Sequence, residues 1–253
     1  MAQRGQKRQR PTGGIIAKLL VVFAVAGAGL APTLFALPTV SVNSTRDLPD
    51  ANAGDGVCDT GAISGQTECT LRAAIQEANS DPAPTTVSFA IPTTDGNHAG
   101  GIWTIAPTNG LPAITTPTTI DATSQPGWAG EPVIVLDGND TGGGTIGLEA
   151  SVDAAGSQFR GLSIVRFAGD GIRINVDDAV VAQNFIGIYP DGSSGQIGDA
   201  GVYVTNGATG VIVGGSQNEG NIIGSTQGAG IRVNDLGTSV EVCLLYTSDA
   251  ADE

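Results

Sequence analysis

A four-residue pattern of alternating apolar and polar positions recurs along the chain, and each copy opens with glycine. The three clearest copies are Gly171–Ile174, Gly201–Val204 and Gly230–Val233, and Gly147–Ala150 is a weaker one. Successive copies begin 24, 30 and 29 residues apart. Because side chains alternate between the two faces of a strand, each copy predicts a short strand with one apolar face. Recurrence at this spacing is typical of a solenoid of stacked coils.

A second set of short apolar segments runs in step with the first. Its members are Leu162–Ile164, Asn184–Gly187 and Asn221–Gly224. The chain also has 38 glycines, while aromatic residues make up 4% of it. Many short β-branched runs separated by turn residues predict an all-β fold. Asn184 and Asn221 occupy matching positions, and we expect their side chains to hydrogen-bond between stacked coils.

The polar middle residues of the first pattern are Glu149, Arg173, Tyr203 and Arg232. If the copies stack as parallel strands about 4.8 Å apart, these four side chains form one exterior column. Tyr203 then lies between two guanidinium groups, and Glu149 meets Arg173. Two interpretations of this exterior column are open. It stabilises the stack laterally through cation–π contacts, or it forms a binding strip for a ligand.

Both ends of the chain depart from the repeated pattern. Residues 1–42 have a basic start followed by an apolar stretch, which is the layout of a secretory signal peptide. An uncleaved N-terminal anchor is the alternative, because the stretch is nearly long enough to span a bilayer. Residues 243–253 resemble the translation of a DNA-library adaptor. We interpret them as an adaptor-derived artefact, with a genuine C-terminal strand as the alternative.

Charge is distributed unevenly along the chain. Five of the eleven lysine and arginine residues lie within the first 18 positions. Residues 43–253 contain six basic and all 25 acidic residues, a formal net charge of −19. An acidic surface repels phosphate backbones, which argues against nucleic acid as a partner. Membrane contact is expected only through the N-terminal segment.

Apart from Cys243, the chain has two cysteines, Cys58 and Cys69. In an exported protein, a pair this close in sequence predicts a local disulfide, and two buried free thiols are the alternative. The following segment predicts a short helix with Thr70 as its N-cap, because apolar residues recur on one helical face. These residues are Leu71, Ala74, Ile75 and Ala78. We expect the helix to cover the open end of the solenoid.

Four segments of the chain resemble one known family, the CSLREA-domain proteins, whose N-terminal module is named for a Cys-Ser-Leu-Arg-Glu-Ala hexapeptide. The segments are Gly54–Asp59, Cys69–Ile75, Pro117–Gly127 and Arg160–Phe167. Here Thr70 and Ala73 stand at the second and fifth positions of the hexapeptide. The resemblance covers about residues 47–235. It implies an exported prokaryotic protein with a right-handed parallel β-helix fold, and it brings no catalytic residues.

These observations predict a chain of four parts. They are a signal peptide or N-terminal anchor (1–42), a CSLREA-like cap with a short helix (43–84), a parallel β-helix (85–242) and the adaptor-derived segment (243–253). The predicted fold class is therefore all-β, a right-handed parallel β-helix with a short N-terminal helical cap. We expect the protein to be secreted or held at the cell surface.

The loop before Cys58 carries spaced oxygen donors. Asp50, Asn52, Asp55 and Asp59 lie in a glycine-containing segment. Calcium prefers hard oxygen ligands, so it is the candidate cofactor, although the spacing is not that of an EF-hand. A solvated acidic loop is the alternative interpretation.

The repeats, the export signal and the lack of a convergent catalytic motif favour a non-catalytic scaffold for adhesion or glycan contact. The expected partner is a polysaccharide or a cell-surface glycan. The alternative is a polysaccharide lyase or glycoside hydrolase whose active-site coils lie further along the natural protein. A hydrolase needs two carboxylates at a set separation, and a lyase needs a base beside acidic residues. Within this chain, the residues available for such chemistry are Arg166, Asp170, Arg173, Asp177 and Asp178.

Overall fold

Short strands dominate the computed structural model, which describes residues 37–151, 153–243 and 245–247. In this part of the chain, one α-helix, α1 (Leu71–Ser80), and a 3₁₀ turn at Ala122–Ser124 accompany the strands. The strands are β1 (Thr39–Val42), β2 (Thr85–Phe89), β3 (His98–Ala99), β4 (Ile102–Ile105), β5 (Thr118–Asp121), β6 (Ile134–Asp137), β7 (Leu148–Ala150), β8 (Gln158–Arg160), β9 (Leu162–Val165), β10 (Ile172–Ile174), β11 (Val180–Ala182), β12 (Phe185–Ile186), β13 (Val202–Val204), β14 (Val211–Val213), β15 (Asn221–Ile223), β16 (Ile231–Val233), β17 (Val240–Val242) and β18 (Leu245–Thr247). The predicted all-β class is confirmed.

The strands form three sheets. The first has the order β1-β2-β5-β8-β11-β14-β17, the second β18-β15-β12-β9-β6-β4-β3 and the third β16-β13-β10-β7. The described strand pairs are parallel except for the short pair β3 and β4. From β5 onward the chain visits the first, second and third sheets in strict rotation. Each circuit therefore adds one coil to the stack.

Equivalent residues of successive coils lie side by side in the third sheet. Ile172 is paired with Val202, which in turn is paired with Ile231. Ile172 and Val202 are fully buried, as the alternation predicts. Val233 was expected to face the core in the same way, but it is 46% exposed. It lies on β16, which is the edge strand of the third sheet among the described residues. In this described part of the chain no following strand covers Val233, so its side chain meets solvent at this edge.

Two asparagines connect successive coils in the interior. Asn184 and Asn221 have no exposed surface. The Asn184 backbone amide donates to Asn221 Oδ1 at 3.0 Å, and Asn221 Nδ2 donates to the Val181 carbonyl at 2.7 Å. Asn184 Oδ1 accepts from the Leu162 amide at 3.0 Å. The predicted hydrogen bonds between stacked coils are confirmed. This asparagine ladder, formed by Asn184 and Asn221, gives partners to backbone amides at the strand ends.

The helix α1 packs against β1 and β2, at the end of the first sheet where β1 is the edge strand. Thr70 caps the helix by accepting from the Ala73 amide at 3.1 Å, as predicted. The apolar residues of the predicted face are all buried, namely Leu71, Ala74, Ile75 and Ala78. The helix therefore shields core side chains next to the edge strand.

The sheet begins before the predicted β-helix boundary at residue 85. Residues 1–36, most of the predicted signal peptide or anchor, lie outside the described residues. Thr39–Val42 belong to the same predicted segment, yet they pair with Thr86–Phe89 in the first sheet, and Val42 is fully buried. Within the described part of the chain, no helix combines the length and apolar character that crossing a bilayer requires.

At the other end, part of the segment interpreted as adaptor-derived joins the second sheet. Leu245–Thr247 form β18, which pairs in register with Asn221–Ile223. Pairing of this kind uses backbone groups that any sequence supplies. The origin of residues 243–253 therefore stays a prediction.

Candidate functional site: exterior column, cap and groove

Cys58 and Cys69 form a disulfide, which confirms the prediction from their spacing. Their Sγ atoms are 2.00 Å apart and their Cα atoms 5.2 Å apart. The Cα distance lies within the usual range of about 4.4–6.8 Å. Because Cys69 directly precedes the N-cap Thr70, the bond attaches the preceding loop to the start of α1.

Arg72 of α1 contacts both the segment before the helix and the loop that follows β4. Its Nε donates to Asp47 Oδ1 at 2.7 Å and its Nη2 to Asp47 Oδ2 at 3.1 Å. The same guanidinium donates to the carbonyls of Asn109 and Gly110, both at 2.9 Å. A two-pronged arginine–carboxylate pair fixes orientation as well as distance. The sequence did not predict this clamp, because Asp47 and Asn109 lie 25 and 37 residues away in the chain.

The four residues of the predicted calcium loop lie close together but serve mainly the loop itself. Asp50 accepts from the backbone amides of Asn52 at 2.8 Å and Asp59 at 3.1 Å. Asp55 accepts from Asn52 Nδ2 at 3.0 Å, and Asp59 accepts from the Gly61 amide at 3.0 Å. Among the described residues, no group of three or more His, Cys, Asp or Glu side chains is placed to hold a metal ion. Calcium binding therefore stays a prediction.

The exterior column forms in the predicted register. Arg173 is paired with Tyr203, and Tyr203 with Arg232, on adjacent strands of the third sheet. The Arg173 and Arg232 Cζ atoms lie 5.5 and 5.4 Å from the centre of the Tyr203 ring. Asn234 Nδ2 donates to the Tyr203 hydroxyl at 3.3 Å. The phenol is therefore held by cations from both neighbouring strands and by one amide.

Glu149 and Arg173 are neighbours in register, as predicted, but each side chain has a different hydrogen-bond partner. Glu149 instead accepts from Asn175 Nδ2 at 2.7 Å. Arg173 Nε and Nη2 donate to Asp170 Oδ2 at 2.9 and 2.6 Å. Asp170 is fully buried, so pairing compensates a charge that would otherwise be costly to bury.

Arg232 has a carboxylate partner of its own, Asp199. Its Nη1 donates to Asp199 Oδ2 at 2.8 Å, and its Nη2 also contacts this carboxylate. The hydrogen bonds from Arg232 lower the pKa of Asp199. Asp170 and Asp199 were not predicted as members of the exterior column. The available signal was their position one and two residues before the repeated glycines Gly171 and Gly201.

Two of the residues considered for catalysis, Asp177 and Arg166, hydrogen-bond to other parts of the protein. Asp177 Oδ1 accepts from the Thr209 amide at 2.7 Å, and Arg166 Nε donates to Asp137 Oδ1 at 2.8 Å. Asp178 has a left-handed backbone with φ of 58° and lies in a turn, so Asp177 and Asp178 do not share a strand. These contacts within the protein suit a structural role.

A groove crosses the outer face of the second sheet. Its volume is about 700 Å³, twice the volume of about 350 Å³ of a smaller groove beside Arg166. Phe185 and Ile222, paired side by side on β12 and β15, form its floor. Both are half-buried, whereas the next residues, Ile186 and Ile223, face the core. The repeated Asn-Phe-Ile-Gly and Asn-Ile-Ile-Gly segments contained this signal, since alternation places Phe185 and Ile222 outside.

Amide side chains form the walls of this groove, on the turns that precede β12 and β15. They belong to Gln183, Gln217 and Asn218. The second turn is closed by Glu219, whose carboxylate accepts from the Ser216 hydroxyl at 2.6 Å and from its amide at 2.8 Å.

Arg160, which lies two coils earlier, strengthens the same turn, because its Nη1 donates to Glu219 Oε1 at 3.0 Å. The hydrogen bonds from the Ser216 hydroxyl and from Arg160 lower the pKa of Glu219 to about 2. Glu219 therefore stays ionised across the neutral range, and the turn stays closed.

Comparison with known proteins leaves the family of this chain open, because no family model matches it and no curated protein is similar enough to count as a relative. Function is therefore inferred from the geometry of the described residues.

Proposed function

We propose that this protein is a secreted or cell-surface right-handed parallel β-helix that acts as a non-catalytic scaffold for adhesion or glycan contact. The rotation of the chain through three parallel sheets supports the solenoid. The right-handed sense rests on a general preference, because connections between parallel strands of one sheet are right-handed in roughly 98% of cases. Export rests on the basic and apolar N-terminal sequence and agrees with the Cys58–Cys69 disulfide.

The CSLREA-like cap belongs to the same proposal. Its support is the combination of a disulfide next to the helix N-cap, an amphipathic helix over the edge strand, and the Arg72–Asp47 clamp. A cap of this kind protects an edge that would otherwise pair with other chains. An exported scaffold gains resistance to aggregation from such a cap.

The observation that carries the scaffold role is that acidic side chains accept hydrogen bonds from donors within the stack, including donors on the next coil. Asp170 accepts from Arg173 and from the Ala200 amide at 3.1 Å, and Asp177 accepts from Thr209 of the next coil. A general acid or base must be free to exchange a proton with a substrate. Carboxylates held by two or more internal donors are suited to stabilising the stack.

The test is a paired binding and turnover assay on the exported protein. Purified protein would be incubated with insoluble polysaccharides, and co-sedimentation would be measured beside the release of reducing ends and of unsaturated sugar products. We expect retention on at least one polysaccharide without product. If product forms, and if it no longer forms with an Asp177→Asn or Arg173→Gln variant, the scaffold proposal is wrong and the lyase or hydrolase alternative is correct.

Localisation is tested separately, by expressing the chain with its own N-terminus in a bacterial host. We expect the protein, with Cys58 and Cys69 oxidised, in the extracytoplasmic fraction. Recovery in the cytoplasm with free thiols at Cys58 and Cys69 would contradict export.

A further inference from the structure

We propose that the groove on the outer face of the second sheet is a binding site for an uncharged polysaccharide, with Phe185 as its stacking platform. The inference rests on the proposed glycan-contact function and assigns it to a place other than the exterior column. The groove volume of about 700 Å³ lies within the range of roughly 300–1,000 Å³ that is typical of ligand sites.

The floor suits the apolar face of a sugar ring. Phe185 lies next to Ile222 on the adjacent strand, and each keeps part of its surface open to the groove. The face of an aromatic ring is electron-rich, so it attracts the polarised C–H groups that a sugar presents on one side. In the exterior column, by contrast, Arg173 and Arg232 occupy the positions over the Tyr203 ring. Phe185 is therefore the better stacking surface.

The walls suit the hydroxyl groups at the edge of such a sugar. Gln183, Gln217 and Asn218 each carry an amide that both donates and accepts hydrogen bonds, as a hydroxyl does. Amides can therefore bind hydroxyls without selecting for charge.

The walls are also held in place before any ligand arrives. Gln183 and Asn218 have left-handed backbones, with φ of 59° and 75°, and Gln183 Nε2 donates to the Asn218 carbonyl at 3.3 Å. A glutamine rarely adopts this conformation, and non-glycine residues held in it cluster at binding sites. Glu219 closes the turn that carries Asn218. These groove residues therefore lose little conformational freedom when a ligand binds, which favours affinity.

Charge selects against acidic polysaccharides. Among the described residues that line the groove, Glu131 alone is charged. Residues 43–253 carry a formal net charge of −19, so the long-range field also repels anions. A neutral chain such as a glucan, mannan, galactan or xylan meets no such barrier.

The test is affinity electrophoresis of the full chain in gels that contain one of these four neutral polysaccharides or polygalacturonate. Phe185→Leu keeps apolar bulk but removes the aromatic face, whereas Phe185→Tyr keeps the aromatic face. Gln217→Ala combined with Asn218→Gly removes two wall amides, and glycine tolerates the left-handed backbone. Ile212→Ala is the matched control, a half-buried outer residue on the first sheet. Circular dichroism of each variant confirms folding.

We expect retardation by at least one neutral polysaccharide and weaker or no retardation by polygalacturonate. Phe185→Leu should weaken binding about two- to tenfold, as should the double wall variant, whereas Phe185→Tyr and Ile212→Ala should bind as wild type does. Wild-type binding that Tyr203→Ala abolishes and the groove variants retain would overturn the groove assignment but leave the glycan function standing. Absence of binding to every polysaccharide would overturn both.

Two further outcomes would also overturn the groove proposal. One is stronger binding to polygalacturonate than to the neutral chains. The other is a dimer, seen by light scattering, that Phe185→Leu dissociates, because the groove would then be an interface between copies of this chain.

Discussion

Replacing Asn221 with alanine removes a polar contact between successive coils at a position with no access to water. In the wild type, Asn221 Oδ1 is the acceptor for the Asn184 amide, and Asn221 Nδ2 is a donor to the Val181 carbonyl. The variant leaves the Asn184 amide buried without a partner. The Val181 carbonyl keeps its other bond, from the Gly214 amide at 2.7 Å.

The magnitude follows mainly from these two losses. The third bond lost, from Asn184 Nδ2 to Asn221 Oδ1 at 3.2 Å, costs less, because Asn184 Nδ2 still donates to the Phe159 and Ala182 carbonyls. An unsatisfied buried amide costs about 1–3 kcal/mol, and loss of the bond to Val181 adds about 0.5–1.5 kcal/mol. We therefore expect the free energy of unfolding to fall by about 3 kcal/mol. For a chain of this size, that corresponds to a melting temperature about 6–12 °C lower.

The assay is urea and thermal unfolding followed by far-ultraviolet circular dichroism. Asn234→Ala is the matched control, since Asn234 is exposed and donates to the Tyr203 hydroxyl at 3.3 Å. Its cost should stay within about 0.5 kcal/mol. If Asn221→Ala and Asn234→Ala shift the unfolding midpoint equally, the buried ladder does not stabilise the stack as described.

The other predictions concern register, covalent closure and pH. Val202→Asp should abolish cooperative unfolding, because it buries an unpaired charge. In a urea titration, Tyr203→Ala should lower the free energy of unfolding by only about 1–2 kcal/mol, the value of two cation–π contacts. A larger loss for Tyr203→Ala than for Val202→Asp would contradict the assignment of inside and outside positions. Reducing the Cys58–Cys69 disulfide should lower stability by about 2–3 kcal/mol in urea, with no effect of reductant on a double serine variant. Because the pKa of Glu219 is lowered to about 2, its stabilisation is present above its unfolded pKa and is lost as pH falls towards 2. The stability difference between wild type and Glu219→Gln, measured by urea unfolding, should therefore shrink over that window, and a constant difference would refute the assignment.

Local periodicity was enough to predict the parts of the fold that depend on alternation. Val202 and Tyr203 lie on opposite faces of one strand because successive side chains must, and the repeat then sets their neighbours in the stack. Asn184 and Asn221 were predictable for a related reason, since each stands at the same point of a repeated segment. The helix after Cys69 followed from apolar spacing and a capping threonine.

Partner choice was less predictable, because it depends on which turns approach one another. Arg173 and Glu149 are neighbours in register, yet Arg173 binds Asp170, which lies three residues earlier and is buried. Arg232 binds Asp199 from the preceding coil, 33 residues away. A carboxylate on a short turn reaches a guanidinium with two hydrogen bonds, and that geometry outweighs simple adjacency on a strand.

The sequence by itself determined which residues of each strand belong to opposite faces, since that follows from the backbone. Only the tertiary structure decided which outer faces remain open. Ser163 and Val165 stand at outer positions of β9, yet both are fully buried, because a following turn folds over them and Ser163 Oγ donates to the Ile188 carbonyl at 2.8 Å. Phe185 occupies the equivalent outer position one coil later and stays partly open. Covering one coil and exposing the next requires contacts between distant turns, which no local pattern encodes.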